Sequence, residues 1–401
     1  MAPIARLVNP VQTYAWGSRS ALAEFLGTPT SPVPQAELWM GAHALAPSSV
    51  VRQGRSVPLT AAIERDPEAE LGDRVRRRFG PRLPFLLKVI AADRPLSLQA
   101  HPDAEQAARG FAAETARGLH VDDPKRNYKD PFHKPEIVCA LGPFVALCGF
   151  RPIAEVVDLF ERLAAKELTG VLAPLLQRRD DSGLKLAFEA LMQSDAETQA
   201  ALAAGVVRAA RQKRAALPEY TTALDWLDAI AALYPRDVGV VSCLLLNLVE
   251  LQAGEALFLP AGNLHCYLSG IAVEVMASSD NVLRGGLTSK HVDVPELLSI
   301  LKVATERPVK LLPRAGAGSE LVYETPAAEF RLSRIHLQEQ LWSTDVRGPE
   351  IVLVTAGSAE LCAQGSSEHL VQGESAFVAG SAGAYTLRGA GVVHRVSVGE
   401  T

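Results

Sequence analysis

Polar and apolar side chains alternate most sharply in Leu96-Ser97-Leu98-Gln99-Ala100-His101. Ser97, Gln99 and His101 fall on every second position, the period of a strand with one polar and one apolar face. The run just before it, Leu83 to Ala92, is almost wholly apolar and predicts a buried strand, yet it contains Lys88. An amide and an imidazole two residues apart on a strand are about 7 Å apart at Cα, so both can lean onto one cation. An ordinary polar strand face produces the same alternation.

Other periods divide the rest of the chain. Residues 58–80 and the Ala- and Glu-rich residues 104–118 read as helical. Pro135 holds Lys134 extended, so Glu136 is expected to open a strand running through Ala140. From 151 to 235, Ile153, Val156, Val157, Phe160 and Leu163 recur at helical spacing, and Leu224, Leu227 and Ile230 form a later stripe. Ser194 with Glu197 predicts a capping box inside this helical insertion. Strand character is expected again from Val240 to Leu251, Glu255 to Pro260 and Ile271 to Met276. Residues 277–293 are polar, and 295–303 form a short helix. From 319 onward, short apolar segments alternate with Gly-bearing turns, the pattern of a second β-sandwich or jelly roll. The expected architecture is mainly β with a helical insertion. A discontinuous β catalytic domain takes residues 1–150 and 236–310, the helical insertion 151–235, and a C-terminal jelly-roll-like domain 311–401.

Composition narrows the function. The chain has 401 residues and a formal net charge of −5, with no basic face for nucleic acid. The arginines at 74 and 76–78 follow Glu68, Glu70 and Asp73, as on a solvated helix face. No apolar run is long enough to span a bilayer and no secretory leader is apparent. Five cysteines without a CxxC pair fit reduced thiols in the cytoplasm. Glycine loops for nucleotide phosphates are absent.

Four residues have the chemistry of one mononuclear site: Gln99 and His101, Glu136, and His265 in a turn before a third strand. Two imidazoles, a carboxylate and an amide oxygen suit zinc or a similar divalent ion. Each alone also reads as a polar strand or turn residue. A two-His-one-carboxylate iron oxygenase is the nearest alternative of the same fold class.

The sequence resembles the type I phosphomannose isomerases. The resemblance is carried by YAWGS at 14–18, AELWMGAH at 36–43, LPFLLKVI at 83–90, LSLQAHPD at 96–103 and YKDPFHKPEI at 128–137. It continues with NLVELQAGEALFLPAGNLHCYLSG at 247–270 and SSDNVLRGGLTSK at 278–290. The resemblance implies a cupin-like catalytic domain and a monomeric enzyme with one zinc ion per chain. It also implies interconversion of mannose 6-phosphate and fructose 6-phosphate through an enediol. The family's zinc ligands fall on Gln99, His101, Glu136 and His265, and its active-site arginine on Arg284. Asn263-Leu264, Cys266 and Ser289 depart from the usual family residues without touching a ligand position.

Such an isomerisation needs an electrophile, a proton carrier and cations for the phosphate. Arg284, Lys134 and His133 are the expected catalytic residues. Ser97, Lys88, Asp280, Glu274, Tyr267 and Lys290 are expected to bind substrate. A lysine in a buried strand is costly unless its amine reaches a polar site, which points Lys88 at the cavity. His43, His120, His336, His369 and His394 match no functional position. A non-catalytic sugar-phosphate-binding cupin, or another metal-dependent sugar-phosphate isomerase, would share much of this pattern.

Overall fold

A computed structural model describes residues 2–399. The chain is mostly β with helices, and among the described residues it builds one nine-stranded and one eleven-stranded sheet. The smaller sheet carries Glu37–Met40, Phe85–Ala92, His265–Ala277 and Glu136–Phe150 side by side, all antiparallel. Leu98–Ala100 pairs with the start of His265–Ala277, and Leu283–Gly286 pairs with Leu98–Ala100.

Strand alternation divides this sheet into two surfaces. Leu38, Met40, Leu87, Val89, Ile137, Val273 and Val275 belong to one buried core with Ile351, Leu353, Phe377 and Val396 of the larger sheet. The intervening residues, Glu37, Trp39, Lys88, Glu136 and Glu274, turn the other way. The larger sheet thus serves as a rigid backing, and the polar positions of the smaller one face a cleft.

The larger sheet takes its strands from both ends of the chain. Ile4–Val8 pairs with Ser375–Val378 on one side and Ser49–Arg52 on the other, and Arg55–Pro58 follows. Part of the segment grouped by sequence with the catalytic residues therefore hydrogen-bonds into the C-terminal sheet.

Between the two parts of the smaller sheet lie the helices Ile153–Leu163, Thr169–Gln177, Asp181–Gln193, Ala196–Lys213 and Thr221–Leu233. Val156, Leu159, Phe188, Leu224 and Leu227 join Phe150 and Leu246 in a second core. The expected capping box is not formed, and a simple cap one residue later takes its place. Asp195 caps Ala196–Lys213 by accepting from the Thr198 N–H, while Ser194 closes the preceding helix. Gly239–Leu245 is a helix and not the start of a strand. All seven of its residues are buried, so the run carries no exposed polar face to report a period. Within the stretch read only as polar, Leu283–Gly286 is a strand.

The larger sheet holds a buried ion cluster. Arg395 donates through Nε and Nη2 to Glu350 and through Nη1 to Glu320, and the Tyr385 hydroxyl also donates to Glu350. Glu350→Ala should leave the Arg395 charge buried with half its partners and destabilise the protein by about 3–5 kcal/mol. Urea unfolding of the variant should show this, and an unchanged midpoint would contradict it.

Candidate metal centre and cleft

Three buried ligand atoms converge where Leu98–Ala100, Glu136–Phe150 and His265–Ala277 meet. His101, Glu136 and His265 each place one donor atom within 4.8 Å of the other two. His101 Nε2 and His265 Nε2 both lie 3.4 Å from Glu136 Oε2.

Neighbouring groups fix which atoms face inward. His101 Nδ1 lies 2.7 Å from the Asn281 carbonyl and His265 Nδ1 lies 3.1 Å from that of Asn263. A carbonyl only accepts, so each Nδ1 carries the proton and each Nε2 presents a lone pair. Lys134 Nζ, 3.0 Å from Glu136 Oε1, leaves Oε2 for the centre. His101 Nε2 and Glu136 Oε2 are buried without a hydrogen-bond partner. Lone pairs gathered in this way, two of them without a donor, are the chemistry of a cation site. Gln99 is the fourth group, its amide nitrogen 3.3 Å from His265 Nε2. Turning the amide over would present its oxygen instead.

The electrostatics agree. Burial would push the Glu136 carboxyl up, but Lys134 and His101 outweigh it and hold the group well below the usual carboxylate range. Burial pulls the His101 imidazole down to about 4, against the opposing pull of Glu136. An ionised carboxylate beside a neutral imidazole is the state that binds metal.

On the same sheet face, Lys88 lies 3.2 Å from Glu274 Oε2 and 3.7 Å from Glu37 Oε2, with Trp39 beneath its amine. Cross-strand register sets this arrangement, since Lys88 is paired with Trp39 on one side and Glu274 on the other. The Tyr267 hydroxyl donates to Glu274 Oε1, and Trp39 Nε1 donates to Glu37. Burial would lower the Lys88 amine, but Glu37 and Glu274 outweigh it and keep it protonated. Burial pushes the Glu274 carboxyl up against the pull of Lys88.

These groups line a cleft of about 1730 Å³. Arg284 stands on its wall, opposite Gln99 in strand register. Burial is the only influence resolved on its guanidinium, and it makes no ion pair among the described residues. Lys290, which feels the Arg284 charge, and Ser97 line the same cleft. A free guanidinium with a lysine beside it is an anion-binding arrangement.

The family pattern for phosphomannose isomerase type I, catalytic domain, matches residues 4–153. The mannose-6-phosphate isomerase of Escherichia coli strain K12 is 41% identical over 359 residues, which span 89% of this chain and 90% of that one. The chain belongs to the type I phosphomannose isomerases. The mannose-6-phosphate isomerase of Aspergillus fumigatus is 32% identical over 418 residues, covering 90% of this isomerase and 88% of its own length. A crystal structure of mannose 6-phosphate isomerase in its zinc-bound holo form superimposes with a TM-score of 0.92 at 39% identity, over 100% of both chains.

Most residues expected at the site of this isomerase are brought together. Gln99, His101, Glu136 and His265 converge, and Lys88, Ser97, Lys134, Tyr267, Glu274, Asp280, Arg284 and Lys290 line the cleft. His133 does not. Its Nε2 lies 2.7 Å from Glu329 Oε1, on the far side of an extended segment that sends Lys134 and Glu136 inward. Glu37, Trp39 and His43 line the cleft without having been assigned to it. Glu37 had a signal, since it shares strand parity with Trp39. His43 had none, because Gly41 breaks the strand before it.

Proposed function

We propose that this isomerase interconverts mannose 6-phosphate and fructose 6-phosphate with one zinc ion held by Gln99, His101, Glu136 and His265. The observation that carries the reading is the set of inward-facing lone pairs of His101, Glu136 and His265, buried at the base of a cleft walled by Lys88, Glu274 and Arg284. The zinc-bound relative of the same fold supports the choice of metal. We read the smaller sheet as a cupin-type catalytic unit and the larger as jelly-roll-like. Five unpaired cysteines favour a reducing, cytoplasmic setting. No helix of the described residues is long and apolar enough to cross a membrane.

Zinc bound there supplies positive charge that polarises the substrate's carbonyl and hydroxyl oxygens. The protein's own groups do the rest. Arg284 pairs with the negative charge of the enediolate or the phosphate, and Lys290 and Ser97 add donors at that end. Lys88, held charged between two carboxylates, donates to an oxygen of the sugar. Glu274, raised by burial and aimed by Tyr267 and Lys88, is the proton acceptor the cleft offers. Lys134 is committed to Glu136 and orients it. His133, paired with Glu329, has no part in proton transfer.

A coupled assay for fructose 6-phosphate formed from mannose 6-phosphate tests this. Activity should vanish with a strong chelator and return on adding zinc. Protein that binds both sugars and turns over neither with zinc supplied would instead be a sugar-phosphate sensor.

A further inference from the structure

His43 and Asp280 form a pair on the cleft wall that the reaction as described does not use. His43 is 5% exposed, and its ring stands edge-on to Trp39 with centroids 4.6 Å apart. Its Nδ1 accepts the Leu45 backbone N–H at 3.2 Å. A nitrogen that accepts cannot carry the ring's single proton, so neutral His43 is protonated on Nε2. That Nε2 lies 3.0 Å from Asp280 Oδ1. The orientation of the donor is therefore built into the loop that follows Gly41.

Asp280 depends on this donor. Its side chain is 42% exposed and makes no other side-chain hydrogen bond or ion pair among the described residues, with Lys134 and Lys88 acting on its charge only from farther off. Its backbone is fixed independently, because its N–H donates to Asp130 Oδ2 at 2.7 Å. The next residue, Asn281, supplies the carbonyl that orients His101. The main chain thus sets where Asp280 sits relative to the metal centre, and His43 sets where its carboxylate points. Without His43, the carboxylate would be free to swing into solvent.

We propose that His43 is a positioning residue whose Nε2–H holds the Asp280 carboxylate over the cleft, so that the second oxygen accepts a hydrogen bond from a hydroxyl of the hexose phosphate. This rests on the isomerase reading and deepens it. Gln and Met have similar lengths, but only Gln keeps an N–H donor. His43→Met should lower kcat/KM roughly tenfold to a hundredfold, the loss expected for a hydrogen bond to a charged group. Zinc content and Tm should stay unchanged. His43→Gln should retain most of the activity. In the Asp280→Ala background, His43→Met should cost nothing further.

Equal activity of the Gln and Met variants, or a full additional loss in the Asp280→Ala background, overturns the proposal. Should His43→Met not fold, the histidine ¹⁵N spectrum of zinc-loaded wild-type protein decides. It should show His43 as the Nε2–H tautomer, with a resonance that moves in Asp280→Ala, and an Nδ1–H tautomer overturns the pairing. Wild-type protein that is inactive yet shows the expected tautomer would sink the isomerase reading and leave the pairing intact.

Discussion

Glu136→Ala and His265→Ala are expected to lose the metal and at least about 99.9% of the isomerase activity. Each removes one of the inward-facing donors that lie within 4.8 Å of one another. The remaining donors are too few to hold the ion, although their orientation is maintained from outside. The Asn281 and Asn263 carbonyls aim the two imidazoles, and Lys134 aims Glu136. Glu136→Ala does further harm, since it leaves the Lys134 amine buried without its carboxylate. Its Tm should fall more than that of His265→Ala. Metal analysis of the purified variants, together with the coupled assay, checks both effects. Full zinc occupancy in His265→Ala would remove that residue from the ligand set.

The second large effect is expected at Arg284. Arg284→Ala should lower kcat by roughly a hundredfold or more while zinc stays bound, if the guanidinium meets charge that develops in the transition state. A rise in KM with kcat nearly unchanged would assign it to the phosphate alone. The structure favours a direct role, because Arg284 sits opposite Gln99 in register and has no ion-pair partner of its own. Arg284→Lys keeps the charge but loses the two-pronged geometry, and should recover only part of the activity. Wild-type values of both constants in Arg284→Ala would place the residue outside the site.

The sequence carried the site further than it carried the element boundaries. Alternation in residues 96–101 placed Gln99 and His101 on one face, and Lys88 inside an apolar strand had to meet a polar cavity, as it does. The same parity argument separates His133 from Lys134 and Glu136, and nearness in sequence concealed it. Gly239–Leu245 was illegible because a helix buried all round, its lone Ser242 included, has no exposed polar face to mark its period. Leu283–Gly286 was hidden by its two glycines, which weaken the strand signal although the segment pairs with Leu98–Ala100. His43 and Asp280 lie more than two hundred positions apart, and no local pattern reports a contact made by the fold.

The pairing of Ile4 with Val378 bears on how the molecule is made. During synthesis, Ser49–Arg52 and Arg55–Pro58 can join the first strand early, but its other edge has no neighbour until nearly the whole chain has emerged. At ribosomal speeds of roughly 5–20 residues per second, that edge stays open for about twenty to seventy seconds. An open strand edge invites pairing with other nascent chains. The backing of the catalytic sheet is completed last, so a chain stopped short of residue 375 would carry every residue of the metal centre and still lack the surface that holds them in place.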